Sequence, residues 1–173
     1  LHLRFRSLAR SQLKASHVAG ADITYKFISA NQYLVQVRLL RDCVGILAPA
    51  TLEVCYHSDS CNFSATSTLA MLPNFIELPQ CPYLPPVVTS CQGGTGYGVE
   101  MYTYQGMVTL PFVCTDWVLS YTAPLINGGF PSSSLPYFIV STKIDNLNFP
   151  TNSSIEFLTN PILIFCIAQL GYE

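Results

Sequence analysis

The sequence predicts an all-β protein: an antiparallel β-sandwich, immunoglobulin-like or jelly-roll-like, that contains disulfides. Three observations carry this prediction. Apolar and polar residues alternate with period two along many short segments, which is typical of strands with one buried face. Twelve prolines and ten glycines punctuate the 173 residues, which disfavours long helices. Seven cysteines without paired C-x-x-C spacing favour disulfides over a zinc ribbon.

The alternation first becomes clear after residue 20, where two runs are joined by a short polar link. Ile23, Tyr25 and Phe27 alternate with polar neighbours, and a second run follows over residues 33–40. The link at residues 29–31 predicts a β-hairpin. Further strands are predicted, in chain order, at 51–56, 62–70, 75–78, 99–110, 117–122, 137–144, 154–158 and 162–167. Many short strands at this spacing indicate a sandwich or barrel.

The composition fits one domain with a substantial core. Half of the residues are hydrophobic and 10% are charged, which excludes a disordered chain. The apolar stretch at 161–170 is far shorter than the roughly 20 residues of a membrane span. The longest uncharged stretch, residues 117–142, contains prolines and glycines. We therefore predict no membrane span.

The charges divide the chain into two parts. Seven of the eight basic residues lie in the first 41 positions, and residues 42–173 carry one lysine against nine acidic residues. Residues 1–16 are a basic arm or the remnant of a signal peptide, with Ala15 at a plausible cleavage point. Residues 17–173 form a single β-sandwich domain. An acidic body disfavours nucleic acid as a partner.

The cysteines indicate an oxidising compartment, and hence a secreted, extracellular or cell-surface protein. Proximity alone suggests the pairs Cys55–Cys61 and Cys81–Cys91, each contributing about 2 to 3 kcal/mol in the chain-entropy model. Cys43 and Cys114 complete the disulfide candidates. Other pairings stay open, because seven cysteines allow many connectivities.

Motifs for catalysis or cofactor binding are not found in the sequence. His2, His17 and His57 lack metal-ligand spacing. The glycine-rich residues 93–98 are not followed by the Lys-Ser/Thr of a phosphate-binding loop. Asp116 precedes Trp117 and is predicted to hold a turn or cap a strand. We predict a protein that is not an enzyme, with no catalytic residue, metal or cofactor.

The scarcity of charge points to a protein that contacts surfaces. Exposed apolar groups usually mark interfaces, and charged residues that blunt strand edges are few. Partners are expected to be copies of the chain or other cell-surface proteins. Strand addition by the arm would use its apolar residues, Leu3, Phe5, Leu8 and Leu13. The alternative is glycan binding, for which the candidate aromatic residues, also candidates for an interface, are Tyr97, Tyr102 and Tyr104.

A family resemblance extends over residues 15–170. The segments that carry it are ASHVAGADITY at 15–25, NQY at 31–33 leading to LLRDC at 39–43, YQGMVTLP at 104–111, CTDW at 114–117 and 160–166. They resemble the opening module of large secreted Bacteroidetes proteins of the gliding-motility-associated type. Residues 121–127 depart from that family, which usually has a C-C-R-N segment there; this puts family-like disulfide pairing in doubt.

The resemblance implies a β-sandwich module of adhesin-like proteins, exported by Sec and the type IX system to the cell surface. It supplies no catalytic residues. In that family further domains and a sorting signal follow this module. The function predicted from the sequence is a non-enzymatic structural or adhesive module that associates with itself, with a filament as one form of assembly.

Overall fold

The computed structural model describes residues 18–79, 88–124 and 137–156. The described part is built from strands, with one 3-10 turn at Ser90–Gln92. The strands are β1 (Val18–Ser29), β2 (Gln32–Asp42), β3 (Thr51–Ser58), β4 (Phe63–Met71), β5 (Ile76–Glu77), β6 (Val99–Thr109), β7 (Trp117–Pro124) and β8 (Tyr137–Ile144). Every strand pair is antiparallel. The predicted fold class is confirmed.

The strands follow one path, β1-β2-β6-β4-β3-β7-β8, with β5 paired to β6. The path turns a corner between β6 and β4, which share two residue pairs, Ala70 with Gln105 and Met71 with Tyr104. One layer is therefore β1-β2-β6 with β5, and the other is β4-β3-β7-β8. Close approach of β1 to β8 nearly closes the sheet. At the corner a Cβ on Gly106 would lie 2.7 Å from a methyl of Leu69, so this position needs glycine.

The predicted β1–β2 hairpin is present, and its turn is two residues long. Asn31 adopts φ 57°, a left-handed conformation that asparagine tolerates. The register places Tyr25 opposite Val35 and Ile23 opposite Val37. Apolar residues therefore meet on the inner face of this layer.

The core lies between the two layers and is filled by alternate residues of each strand. Its fully buried side chains include Tyr33, Val35 and Val37 from one layer and Leu69 and Trp117 from the other. Each contributes about 1.5 to 3 kcal/mol by burial. Tyr56 and Phe63 pack around Trp117, with ring centroids 6.0 and 5.9 Å away. The apolar residues of each period-two alternation thus face inward from both layers and form the core together.

Most predicted strands agree with the structure to within a few residues, and residues 137–144 agree at both ends. The prediction for 75–78 shortens to Ile76–Glu77. Residues 154–156 are not a strand. Ser154 instead binds the edge of β1, because its N–H donates to the carbonyl of Tyr25 at 2.9 Å and its Oγ accepts from the N–H of Tyr25 at 2.8 Å. Residues 157–158, the predicted strand 162–167 and the arm at 1–16 lie outside the described residues.

Candidate functional site

The outward side of the β4-β3-β7-β8 layer, here called the open face, is exposed to solvent across its four strands. The register sets its residues in three rows that cross the strands. The middle row is Thr66, Cys55, Ser120 and Ser141; the rows on either side are Ser64, His57, Val118 and Lys143, and Thr68, Glu53, Thr122 and Ile139. Each of these residues is exposed or half-exposed.

The open face carries little charge, and a shallow cavity at one end of it is lined by His57 and Ser64. Hydroxyl and small side chains predominate, and the charged groups are Glu53 and Lys143, with His57 as the titratable neighbour. Glu53 and His57 lie on the same strand, four residues apart, on either side of Cys55. The face is therefore a hydrogen-bonding surface with few charges, with Glu53 in one outer row and His57 and Lys143 in the other.

The outward side of the β1-β2-β6 layer, here called the covered face, is different. Leu40 and Met101 are 5% and 4% exposed there because Leu78 and Val99 pack on them. Arg38 on this face binds both carboxylate oxygens of Asp22 through Nε, at 3.0 and 2.9 Å, and its guanidinium also lies 2.8 Å from Asp22 through Nη2. Chain segments and paired charges thus occupy much of this side.

The turn after β2 is held by the Arg41-Asp42-Cys43 sequence. Arg41 is buried and donates to the Glu100 carboxylate at 2.6 Å. It also donates to the carbonyls of Ile46 at 2.5 Å, Gly45 at 2.7 Å and Cys43 at 3.2 Å. Since each bond fixes a backbone atom or a buried carboxylate, the role of Arg41 in this structure is to hold the loop at 43–47.

The next residues of that sequence complete the same corner. The Asp42 carboxylate accepts from the N–H of Val44 at 3.0 Å, and Cys43 forms a disulfide with Cys91. Gly98 packs against this disulfide, since a Cβ there would lie 2.5 Å from Sγ of Cys91. Residues 41–43, which end one of the segments that carry the resemblance, therefore form a structural corner.

The disulfide pairs predicted from proximity are wrong. The described bonds are Cys43–Cys91 and Cys61–Cys114, with sequence separations of 48 and 53. Cys55 is free and exposed. It points outward from the middle of β3, so it cannot reach Cys61 in the following turn, which faces the start of β7.

The remaining cysteine candidate, Cys81, lies outside the described residues. Its predicted partner, Cys91, is occupied by Cys43. The prediction that the fold contains disulfides is confirmed. The two described disulfides differ from the predicted pairs and join segments that are far apart in the sequence.

The three candidate tyrosines have different environments. Tyr97 is 53% exposed, and its pKa is raised by partial burial and by the charge of Asp42. Tyr102 is half-buried and stacks on Phe75 with centroids 5.3 Å apart. Tyr104 is fully buried, donates to the carbonyl of Pro49 at 2.7 Å and has a raised pKa because of that burial. The prediction of a surface role for Tyr104 is wrong, because the β6 register turns its ring toward the core.

Asp116 holds the turn between β3 and β4, in agreement with the prediction of a turn or cap. Its carboxylate accepts from Ser58 Oγ and Ser60 Oγ, each at 2.5 Å, and from the N–H of Ser60 at 2.9 Å. These bonds favour the ionised form and lower the pKa of Asp116 to about 2. A carboxylate held this way serves as a hydrogen-bond acceptor over the whole physiological pH range.

Metal-ligand chemistry is confined to one group in the described part of the chain. Cys43, Cys91 and Glu100 bring their ligand atoms within 4.8 Å of one another. Both sulfurs are joined in the disulfide, and the carboxylate is bound to Arg41. A disulfide sulfur is not the thiolate that zinc prefers, so this cluster does not fit a metal ion as it stands.

A polar groove lies where the chain after β8 crosses the edge of β1. Its volume is about 330 Å³, and its walls include Thr24, Gln36, Gln105 and Ser154. Gln105 Nε2 donates to Gln36 Oε1 at 2.8 Å, and this bond does not use the Oε1 acceptor of Gln105 or the Nε2 donor of Gln36. Such a surface offers both donors and acceptors to a neutral polar ligand.

Comparisons of the chain with protein-family models, curated proteins and solved structures found no match. Among the residues that the structure describes, no helix has the length and apolar character needed to cross a membrane.

Reasoning from the sequence missed the open face, although its signal was present. The residues Ser64, Thr66 and Thr68 alternate with less exposed ones along β4, and Glu53 and Cys55 do the same along β3. Reading the polar half of each alternation as a common surface would have found it. The candidate arm residues Leu3, Phe5, Leu8 and Leu13 lie outside the described residues.

Proposed function

We propose that the chain is a non-enzymatic structural and adhesive module of a bacterial cell surface that associates with copies of itself. The open face carries this proposal. It offers an exposed four-stranded surface with few charges, on which hydroxyl groups of neighbouring strands lie side by side. Its hydroxyl groups can bond to a partner without the desolvation cost of buried charge.

The disulfides support an extracellular location. Bonds such as Cys43–Cys91 and Cys61–Cys114 persist in oxidising compartments and are rare where thiols are kept reduced. They link the β2 turn to the loop before β6, and the β3–β4 turn to the loop before β7. A module cross-linked in this way resists local opening when its surface is pulled or exposed.

Association through the N-terminal arm is part of the proposal. Within the described residues, β8 lies close to β1 but pairs with β7 alone, and it displays Tyr137 and Ile139. An edge with unpaired backbone groups can accept an extended segment, and the leucines and phenylalanine of residues 1–16 suit that role. The edge of β1 is less accessible because Ser153 and Ser154 already bind it.

Deletion of residues 1–16 tests the arm. We expect the shortened chain to fold, with unchanged circular dichroism, and to form smaller particles than the full chain in multi-angle light scattering. A matched control replaces Leu3, Phe5, Leu8 and Leu13 by serine and keeps the basic residues. Particle size that is unchanged in both variants would contradict a role for the arm.

A second candidate function is glycan binding, favoured by the polar groove at Gln36 and Gln105 and by the exposed ring of Tyr97. Amide pairs hydrogen-bond sugar hydroxyls, and an exposed aromatic ring gives a stacking surface. A glycan array with the purified chain tests this, with Gln105→Leu as the groove variant and Tyr97→Ala as the ring variant. An array without hits removes the candidate.

A further inference from the structure

The two charge-bearing rows of the open face are complementary to each other. One outer row contains Glu53, and the other contains His57 and Lys143. The middle row, with Cys55 on β3, lies between them. A surface of this kind can match a second copy of itself if a symmetry axis exchanges its two outer rows.

Two orientations of a twofold axis bring such faces together, and they differ in the pairs they make. An axis along the strands places Glu53 opposite Thr122 of the other copy and His57 opposite Val118, so neither ionisable group gains a partner. An axis across the strands, through the middle row, places Glu53 opposite His57 and His57 opposite Glu53. The imidazole of His57 can donate a hydrogen bond to the Glu53 carboxylate, so these pairs favour the second orientation.

From this arrangement we infer that the open face is the contact between two copies of the chain, related by a twofold axis that runs across the strands through Cys55. The inference rests on the proposed function, since it names the surface by which the module associates. Every residue of the middle row meets its own counterpart, which is the rule for an isologous contact. The other facing pairs are Ser64 with Thr68, Val118 with Thr122 and, on the edge strand, Lys143 with Ile139.

The size of the face indicates a weak dimer. Four strands spaced ~4.8 Å apart and about seven residues long give a footprint of roughly 500 Å² per copy. Counting both copies, the contact reaches about 1,000 Å², which is the lower limit for a specific interface. Packed sheets are rotated by about 30° to each other, so the match is closest at the two central strands, β3 and β7. Lys143, on the edge strand, keeps its ammonium group in water.

A charge exchange tests the pairing in the full chain. Glu53→Lys places a lysine opposite His57 at both symmetric contacts, so the lysine has no acidic partner. His57→Glu places a glutamate opposite Glu53 at both contacts, which brings like charges together. We expect each single variant to raise the dissociation constant of the dimer by about tenfold or more in sedimentation equilibrium. The double variant Glu53→Lys/His57→Glu restores complementary pairs, and we expect its dimer to return to within about threefold of the original.

Cross-linking tests whether the open face is the contact. Across packed sheets, the two Cys55 residues would lie ~10 Å apart, within reach of a short bismaleimide. The matched control is Cys55→Ser/Thr68→Cys, where the two thiols would lie roughly 17 Å apart, since four residues along a strand add ~14 Å. We expect a Cys55–Cys55 linked peptide by mass spectrometry from the original chain and a far lower yield from the control. Equal yields from both would overturn the assigned face, whereas the orientation of the axis is tested by the charge exchange.

The outcomes separate this inference from the proposed function. If deletion of residues 1–16 abolishes association and the charge exchange does not change it, the open face is not the dimer contact. Self-association through the arm would then still stand. A chain that stays monomeric in every variant and at every concentration overturns both. Restoration by the double variant, together with the selective Cys55 cross-link, supports the assigned face, because a merely structural role of Glu53 would not be rescued by a change at His57.

Discussion

The covered face and the open face are made by the same alternation of residues, yet they have opposite surroundings. On the covered face Leu40 and Met101 are buried under Leu78, and Arg38 is bound to Asp22. On the open face Thr66 and Cys55 remain exposed. Large apolar residues and a paired charge occur where the chain folds back over a sheet, whereas small hydroxyl residues occur where it does not.

This difference separates residues that stabilise the fold from residues that are available for interaction. Burial stabilises the covered face, so substitutions there are expected to act on folding. The outward side chains of the open face are exposed or half-exposed, so substitutions there are expected to act on association. The predictions below use matched changes on the two sides, or in the loops that join the layers.

The largest effect on stability is expected from the disulfides that link distant loops. Removing Cys61–Cys114 by a double alanine substitution opens a loop of 53 residues, which costs about 4 kcal/mol in the chain-entropy model. Urea unfolding followed by tryptophan fluorescence measures the loss, since Trp117 lies in the core. Cys55→Ala is the matched control and should change stability by less than about 0.5 kcal/mol. An equal loss in the control would mean that Cys55 is not free.

The two faces are compared directly by truncating one side chain on each. Leu40→Ala leaves a cavity among Leu78, Val99 and Met101 and is expected to cost about 3 kcal/mol. Thr66→Ala, at an exposed position of β4, should change stability by less than about 0.5 kcal/mol. Urea unfolding of both variants measures the difference. Similar costs on the two faces would show that the open face is also packed against other parts of the chain.

A smaller difference in stability is expected between substitutions at Tyr104 in β6 and at Tyr97 in the preceding loop. Tyr104→Phe removes a buried hydroxyl and leaves the carbonyl of Pro49 without its donor, which is expected to cost about 1 to 2 kcal/mol. Tyr97→Phe removes a hydroxyl from a side chain that is half exposed, and its effect should be within about 0.5 kcal/mol. Thermal and urea unfolding distinguish the two, and a larger loss at Tyr97 would reverse the assignment of buried and exposed rings.

The sequence contains most of the information for the strands, because period two is a local property. Residues 137–144 and the hairpin at Asn31 were predictable from alternation and a turn residue. The disulfides were not, since pairing of Cys43 with Cys91 depends on strands β2 and β6 being neighbours in the sheet. Short sequence separation is a poor guide when the links join different loops.

The candidate site was harder to predict for the same physical reason. Whether an outward-facing residue is covered depends on which distant segment folds over it, and Leu78 covers Leu40 across 38 positions of sequence. The ring of Tyr104 points into the core because Tyr104 lies opposite Val37, a register that is set by the pairing of β6 with β2. Polar alternation marks a surface, but strand order decides which surfaces join into one face.

The smallest expected effect concerns the turn that borders the open face, and it appears as a pH dependence. The serine bonds hold the pKa of Asp116 at about 2, below the ordinary value near 3.9 of an unfolded aspartate. A depressed folded pKa means that the ionised carboxylate stabilises the fold above about pH 4, and that this contribution is lost as the pH falls toward 2. Asp116→Asn should therefore unfold more easily than the original chain at pH 6, and the gap should narrow on acidification. Unfolding curves from pH 6 to 2 measure the gap. A gap that does not change with pH would mean that the serines bind the aspartate without favouring its charge, and the turn would then owe its shape to the Cys61–Cys114 link beside it.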